Sequence, residues 1–402
     1  MQDFIKLQLA IKKRLMSSIK RVMVKIFAGG LKVFLNMLNV ELIDIDIGRI
    51  GHIITPWIYF CNRNELGVKQ IIFQYSSTGS VCNSQWKKMW DEYIEEQNIN
   101  AGYKAKLILF LRNVISKINP DFGFSLTDPM NNKELISGAW KNDKNFIQFT
   151  EQEEKRGREI LIANKIDMPI VCVFARDSKY LNNISPERDW SYHDYRNSDI
   201  NECIPACNAL MDRGFAIARV GALVEQAIDT GNSKIFDYSS SKIKSDFMDI
   251  YLSAKCNFFI GADSGITQPP EIFLRPVVYH NWVLIHRISR WVKNGIFIFK
   301  KLWLIQEKRF VTFYEQINNS IYHSTSAHTY AENGITFIDN TSNDITNAAL
   351  EMHLRLSNEW EESHEDIVLQ NKFWSLFGKE ISRSENLRVG AKFLRENFEL
   401  LS

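Results

Sequence analysis

The stretch of residues 245–276 constrains what this chain can fold into more than any other part of it. Its sequence, SDFMDIYLSAKCNFFIGADSGITQPPEIFLRP, predicts a helix, a buried strand, a tight turn and a second helix, in that order. Apolar residues recur at helical spacing over 247–254, and 256–260 is a short apolar run typical of a parallel strand covered on both faces. The small residues of 261–265 then interrupt both patterns. The whole unit is typical of a parallel α/β sheet.

The turn GADSG at 261–265 has the character of a phosphate-binding turn. Thr267 can N-cap the helix that follows, whose first turn carries two prolines without N–H groups. A strand-to-helix turn points backbone amides out of the carboxyl edge of a sheet, where anions bind readily. An ordinary tight turn without a ligand is the alternative. The expected donors are the amides just before the prolines, those of Ser264, Gly265, Ile266 and Thr267.

Strands and helices alternate along the chain in the order typical of a doubly wound sheet. Strands are predicted over 40–47, 68–75, 170–175, 215–220, 235–236, 277–280 and 335–338. Helices are predicted over 53–62, 86–97, 105–118, 150–164, 200–213, 223–228 and 343–362, with a polar loop over 176–197. The 402 residues are enough for two domains, and we place their boundary near residue 155.

Composition indicates a soluble globular protein of a reducing compartment. Apolar residues make up 45% of the chain and charged residues 24%. The six cysteines form no CxxC motif, and several lie in apolar runs, as buried reduced thiols do. We find neither a secretory signal nor an uncharged apolar run of about 18 residues, so we expect a cytoplasmic protein without a spanning helix.

The N-terminal segment is unusually basic. Residues 1–40 carry eight Lys or Arg and one Asp, although the net charge of the whole chain is only +2. Large apolar residues alternate with these cations at helical spacing, which predicts a basic amphipathic helix on a membrane surface. A helix packed on the domain with a solvated basic face is the alternative. Nucleic acid is not an expected partner, because the remaining chain is slightly acidic and has no recognition motif.

Several catalytic signatures are absent from the sequence. We find no P-loop, no GxGxxG turn and no HExxH helix. The turn at 261–265 places Asp263 where a hydrolase nucleophile elbow needs serine, which argues against an α/β-hydrolase. Asp44 and Asp46 form a DxD pattern, the metal-nucleotide motif of one class of sugar transferase, but it lies within a predicted strand. We interpret it as a chance match.

Several runs of sequence, in order, resemble a family of bacterial glycosyltransferases from surface-polysaccharide gene clusters. They are IGRIGHIITPWIYFCNRNEL, VFARDSKYL, HDYRNSDINECIPA, IFDYSSSKIKSDFMDIYLSAKCNFFIGADSGITQPPEIFLRP and GITFIDNTSNDITNAALEMHLRL, which together span roughly residues 40–375. More distantly, the GADSG turn resembles the nucleotide-diphosphate loop of heptosyltransferases, and ARDSKYL with DYRNSDI is similar to the arginine-bearing loops of fucosyltransferases.

The resemblance implies a GT-B fold, in which two Rossmann-like domains face each other across a cleft. It implies transfer of a sugar from a nucleotide-sugar donor to a glycan or lipid-linked glycan acceptor at the inner face of the cytoplasmic membrane. No metal and no cofactor are expected. The corresponding segments are 1–39, a membrane-associating helical segment; 40–155, the acceptor-binding domain; 156–340, the nucleotide-sugar domain; and 341–402, helices packing back towards the N-terminal domain.

Such an enzyme must neutralise the departing nucleoside diphosphate with cationic side chains and free amides. We assign this catalytic role to Arg176, at the end of a predicted strand, and to Arg196, before a predicted helix. Surface salt bridges are the alternative for both. Glu271 could accept hydrogen bonds from a ribose diol, or merely favour the helix N-terminus. The full donor site implied is Asp177, Arg219, Asp263, Ser264, Gly265, Ile266, Thr267 and Glu271.

On the acceptor side we assign His52 as the base, beside Arg49 and Gly51, in the loop after the first strand. Imidazole titrates near neutrality, which suits general-base work. Heptosyltransferases carry an Asp in the comparable loop, so the residue type departs from that pattern. His52 could instead position the acceptor or cap the helix.

The basic and aromatic segment 280–314 is predicted to be a lipid-facing or acceptor-binding surface, with Lys300, Lys301 and Arg309 as its test residues. An amphipathic excursion packed on the second domain is the alternative. Two other functions stay open: a nucleotide-sugar epimerase or hydrolase of the same fold, and a non-catalytic membrane-recruited scaffold.

Overall fold

The computed structural model describes residues 40–62, 70–75, 80–99, 102–118, 145–228, 235–288, 294–378 and 387–402, with scattered positions between 22 and 38. Contacts group the chain into two compact units, residues 1–139 (unit 1) and residues 140–402 (unit 2). Most of the predicted segment 1–39 and the loop 119–144 lie outside the described residues.

The described part of unit 1 contains two parallel strands and three helices whose first and last residues are defined. Strands β1 (Val40–Ile45) and β2 (Gln70–Tyr75) pair side by side. The helices are α1 (Thr55–Cys61), α2 (Ser84–Glu96) and α3 (Tyr103–Ile118). A 3-10 turn, Ile50–Ile54, joins β1 to α1. The parallel pairing follows from the helix between the strands, because a crossover connection is what parallel neighbours require.

Unit 2 contains the remaining strands of the described chain, in two sheets. In chain order they are β3 (Ile170–Phe174), β4 (Ala216–Arg219), β5 (Ile235–Phe236), β6 (Phe258–Gly261), β7 (Val277–Trp282), β8 (Gly295–Phe299), β9 (Lys301–Leu304), β10 (Arg309–Phe310), β11 (Ile335–Ile338) and β12 (Leu387–Val389). Strands β10, β9 and β11 form a small antiparallel sheet. The other seven form one parallel sheet in the order β12-β8-β7-β6-β3-β4-β5.

This strand order contains a topological switch point. The chain builds outwards from β3 through β4 to β5, then returns to the other side of β3 and continues from β6 outwards. The loops after β3 and β6 therefore leave the same sheet edge in opposite lateral directions. In open α/β sheets the crevice opened in this way, beyond the carboxyl ends of the strands, is where ligands bind.

Unit 2 contains ten α-helices in its described part. They are α4 (Glu151–Ala163), α5 (Lys179–Ile184), α6 (Ile204–Met211), α7 (Asp246–Lys255), α8 (Gln268–Ile272), α9 (Phe313–Asn318), α10 (Ala327–Glu332), α11 (Ser342–Leu356), α12 (His364–Ser375) and α13 (Ala391–Glu396). Thr150 and Glu153 form a capping box that starts α4, and Ser363 and Asp366 do the same for α12. Such reciprocal bonds satisfy amides that a helix start leaves unpaired.

Some predicted elements differ from the structure. The predicted loop 176–197 holds α5 and a 3-10 segment, Ser191–Arg196. The predicted helix 223–228 is irregular. The predicted helix 343–362 ends at Leu356, because Asn358 turns into the left-handed region with φ 57°.

Residues 341–402 group with unit 2, where β12 extends the large sheet and α11 packs on α6 and β8. Their expected packing towards the N-terminal domain stays a prediction. One larger prediction is corrected. The segment 280–314 is not a lipid-facing excursion, because its described part forms strands β8 to β10, and every residue of β8 is buried.

The α/β class and the mostly parallel sheet are confirmed, whereas the two facing domains of a GT-B enzyme remain a prediction. Where the structure describes helices, none is long and apolar enough to cross a membrane.

Gly261 allows the β6 turn to close, and its replacement tests that packing. A Cβ there would lie 2.7 Å from Phe259 Cε1 and 3.0 Å from Thr267 Cγ2. We expect Gly261→Ala to lower the free energy of unfolding by about 1–3 kcal/mol through overpacking. Urea unfolding measures the change. Gly30→Ala is the matched control, because its Cβ would meet nothing within 4 Å; equal effects at both positions would contradict the packing argument.

Candidate functional site

The site is built at the carboxyl edge of the large sheet, where β3 and β6 are neighbours. Phe174 at the end of β3 pairs with Gly261 at the end of β6. Arg176 lies two residues beyond the first of these and Asp263 two residues beyond the second. The register of these two parallel strands therefore brings the loop 176–197, which contains Arg176 and Arg196 and is called the arginine loop below, next to the GADSG turn at the switch point.

Arg176 is a buried cation held by the loop that follows it. Its side chain is 6% exposed, and Nη1 donates to Asn197 Oδ1 and, at 3.4 Å, to the carbonyl of His193. Burial and the nearby Arg196 lower the pKa of Arg176 to about 10, against the opposing effect of Asp263. The guanidinium keeps its charge at neutral pH. A buried cation beside a second one is stabilised by any anion that enters.

Arg196 supplies that second cation and has an unsatisfied donor. It ends the 3-10 segment Ser191–Arg196, and its buried Nε has no hydrogen-bond partner among the described residues. Its guanidinium lies 5.6 Å from the ring centre of Tyr195. An unpaired buried donor costs free energy, which a bound acceptor can recover.

Arg287 belongs to the same cluster, and the sequence analysis missed it. Burial raises the pKa of the Tyr195 phenol to about 12, while Arg196, Arg287 and Arg176 act in the opposite direction. The three guanidinium groups and the Asp263 carboxylate therefore all lie within electrostatic range of one buried phenol. Arg287 ends a 3-10 turn just beyond β7. Its position after an apolar strand was the available signal.

The GADSG turn presents three of the four expected amides. Thr267 N donates to the carbonyl of Ser264 at 3.2 Å, and Thr267 Oγ1 donates to the same oxygen at 2.7 Å. Thr267 therefore closes the turn instead of facing a ligand. Among the described residues, the amides of Ser264, Gly265 and Ile266 have no hydrogen-bond partner. The helix that follows, α8, has only five residues, so its dipole adds less than the sequence analysis expected.

Two predicted donor residues are engaged within the fold. Arg219 is fully buried, and Nη1 donates to Asp237 at 3.2 Å and to Ser239 Oγ at 3.0 Å. Glu271 is also buried, and its Oε1 accepts a hydrogen bond from the Tyr279 hydroxyl. Their predicted roles in donor binding stay predictions.

Asp177 has a supporting role. Its Oδ1 accepts from the amide of Lys179 and its Oδ2 from the amide of Glu225, both at 3.0 Å. The first bond shapes the start of α5. The second fastens the loop after β4 to the loop after β3, so the two loops form one wall of the site.

Lys300 is hydrogen-bonded to the arginine loop. This buried position differs from the lipid-facing one that the sequence analysis expected. Lys300 follows β8 directly, is 4% exposed, and donates to the Asn197 carbonyl at 2.6 Å and to Asp339 Oδ1 at 2.7 Å. Burial lowers the pKa of Lys300, and Asp339 opposes that shift. Asn197 thus joins Lys300 through its carbonyl and Arg176 through its side chain. A lysine just after the apolar run GIFIF was the missed signal.

An open pocket of about 290 Å³ lies beside Arg176. Its wall combines that one arginine with carboxylates and hydroxyl or amide side chains. The lining residues are Arg176, Asp177, Ser178, Asn197, Ser198, Asp199, Glu225 and Asp339.

Unit 1 carries a histidine–carboxylate pair at the end of its first strand. Asp46 follows β1 directly; its Oδ1 accepts from the Gly48 amide at 2.8 Å and its Oδ2 lies 2.9 Å from His52 Nδ1. Both side chains are partly exposed. The hydrogen bond with His52 is the main cause that lowers the pKa of Asp46, with a smaller contribution from Arg49.

The ionised Asp46 can only accept, so His52 Nδ1 carries the proton and Nε2 is the basic nitrogen. Gly51 is buried in the 3-10 turn next to it. The sequence analysis discounted Asp46 with the DxD pattern, but the residue lies just outside the strand and orients His52. Among the described residues, we find no group of three or more His, Cys, Asp or Glu side chains that could hold a metal ion.

Comparisons with known proteins give little beyond this geometry. No family model and no curated protein matches the chain. Among solved structures, E. coli ADP-heptose lps heptosyltransferase II is similar over 60% of this chain and 84% of that one, with 12% identity and a TM-score of 0.28. A TM-score this low carries no functional argument, so any proposal about function has to come from the site itself.

Lys300→Met tests the anchor of the arginine loop. The change leaves the partly buried Asn197 carbonyl without its Lys300 donor, so we expect a loss of about 1–3 kcal/mol in the free energy of unfolding. Thermal or urea unfolding measures it. The control is Lys301→Met, whose ammonium lies 5.3 Å from the Phe310 ring centre at a partly exposed position. A Lys300 variant as stable as the Lys301 variant would contradict the anchoring role.

Proposed function

We propose that this chain is a glycosyltransferase that moves a sugar from a nucleotide-sugar donor to a glycan or lipid-linked glycan acceptor. The observation that carries the proposal is the cluster of Arg176, Arg196 and Arg287 beside the unpaired amides of 264–266, at the switch point of a parallel sheet. Such a crevice is the usual ligand position in this class of sheet.

The cluster fits the charge that develops when a glycosyl bond breaks. The leaving nucleoside diphosphate gains negative charge on its outer phosphate, and guanidinium groups and amides fixed in advance stabilise it without reorganising. Arg196 has a free Nε donor, and the three amides follow one another along the turn. With this much cationic charge in place, we propose that the departing diphosphate needs no metal ion.

The pocket beside Arg176 is the proposed place for the donor sugar. Carboxylates accept hydrogen bonds from hydroxyl groups, and Asp199, Glu225 and Asp339 line this pocket. Sugar hydroxyls would meet these acceptors while the diphosphate lies against the arginines. This arrangement selects a polyhydroxylated group over an apolar one.

His52 is the proposed base for the acceptor hydroxyl. Its Nε2 would take the proton as the hydroxyl oxygen forms a bond to the anomeric carbon and the bond to the diphosphate breaks. Asp46 holds the ring through Nδ1 and stabilises the imidazolium that results.

A thermal-shift panel of UDP, GDP, CMP, ADP and dTDP tests the donor class, because a bound ligand raises apparent stability by mass action. We expect a shift with at least one nucleoside diphosphate. Product analysis with the donor alone then separates transfer from other reactions: complete turnover without an acceptor would instead indicate an epimerase or hydrolase. No shift with any nucleotide would favour the non-catalytic scaffold.

Replacement of Arg196 tests the cradle with little effect on the fold, because its Nε donates no hydrogen bond to any residue that the structure describes. We expect Arg196→Ala to lower turnover by about 10²–10³-fold and to weaken binding of the nucleoside diphosphate. Steady-state kinetics and calorimetry measure both. The control is Arg213→Ala. Arg213 is exposed and lies just before β4, at the other end of the connection from β3. Equal behaviour of the two variants would end the cradle assignment.

Replacement of His52 tests the base. We expect His52→Ala to lower kcat by about 10²–10⁴-fold with little change in donor affinity. Asp46→Asn should lower kcat less, because the ring remains but loses its orienting carboxylate. His364→Ala, at an exposed histidine of α12, provides the reference. If kcat of the His52 variant matched this reference, another group would have to take the proton.

A further inference from the structure

Two helices of unit 1 share one small apolar core. Leu35 from the N-terminal helical segment is buried with Val40 and Ile72 of the strands and with Ala105 and Ile108 of α3. Residues 33–35 and 37 are helical. The N-terminal segment and α3 therefore both pack their inner sides on the β1–β2 pair.

The outer side of α3 is apolar and exposed. Tyr103, Leu107, Phe110 and Val114 are all exposed, and their spacing of four, three and four residues places them on one stripe of the helix. Tyr103 is 83% exposed and Phe110 62%. A helix that only packed on its own domain would carry polar residues along this side.

The N-terminal segment repeats the same pattern. Among its described residues, Val22, Ile26, Val33 and Met37 are helical and exposed, at sequence spacings of four, seven and four residues. Ile26 is 70% exposed and Met37 79%. Exposed large apolar side chains of both segments thus belong to a single compact unit, and Leu35 shares a buried core with α3.

Charge decides which partner this surface fits. The sequence of α3 contains four Lys or Arg and no Asp or Glu, and residues 22–38 contain two Lys and no acid. A second copy of the chain would bring the same positive charge to the interface, which disfavours self-association. Apolar side chains flanked by cations instead suit acyl chains beneath anionic headgroups.

We infer that α3 and the N-terminal segment together form a face of unit 1 that binds an anionic lipid membrane. Tyr103, Leu107, Phe110 and Val114 enter the region between headgroups and acyl chains. The positive charge that the sequence gives both segments favours anionic headgroups. This inference is independent of the proposed reaction, because it concerns binding of the whole chain to a bilayer.

Co-sedimentation of the full chain with vesicles tests the inference. We expect binding to vesicles of phosphatidylcholine with phosphatidylglycerol, and much weaker binding to phosphatidylcholine alone. The double variant Leu107→Ser/Phe110→Ser should weaken partitioning into the anionic vesicles by about tenfold or more, because two large apolar groups are removed. Both positions are exposed, so the fold should be retained. High salt should reduce binding, since the ionic part is screened.

Ile162→Ser is the matched control, because Ile162 is an exposed apolar residue of α4 in unit 2. It should bind vesicles as the unchanged chain does. Equal binding of the Leu107/Phe110 variant and this control would overturn the role of α3, and equal binding to neutral and anionic vesicles would overturn the role of charge. An unchanged chain that forms dimers, ignores both vesicles and becomes monomeric on Leu107→Ser/Phe110→Ser would show a protein–protein face instead.

Discussion

The burial of one positive charge at the edge of the large sheet is the constraint on which the site depends. Arg176 lies almost out of solvent, and a guanidinium in that position is tolerated only where hydrogen bonds and opposite charge compensate its lost hydration. Asn197 supplies the main bond, and Lys300 holds Asn197 in place from the next layer. Asp263 and Asp194 provide part of the opposing charge.

That compensation is incomplete, which gives the site its chemistry. Arg196 and Arg287 add further positive charge within the same cluster. The amides of residues 264–266 donate no hydrogen bond to any other residue of the described chain. An anion that entered would find cations and donors already oriented. Because the protein has met the cost of assembling them during folding, binding energy can be directed to the charge that develops as a diphosphate departs.

The sequence predicted the elements around this site better than the contacts within it. The run 256–265 was readable because a buried parallel strand and a turn of small residues leave distinct patterns. The structure of the loop 176–197 could not be predicted, because short 3-10 segments have no sustained sequence period. The positions of Arg287 and Lys300 could not be predicted either, because they depend on which strands become neighbours in the sheet. Asp46 was discounted because the predicted strand was two residues too long, which turned an orienting carboxylate into a strand residue.

A crystal structure of the chain with a bound nucleoside diphosphate tests the central claim most directly. The account predicts the diphosphate at the carboxyl edge between β3 and β6, with its oxygens accepting hydrogen bonds from the amides of Ser264, Gly265 and Ile266 and from the Arg196 side chain. A nucleotide bound at any other strand edge, with those amides still unpaired, would contradict it.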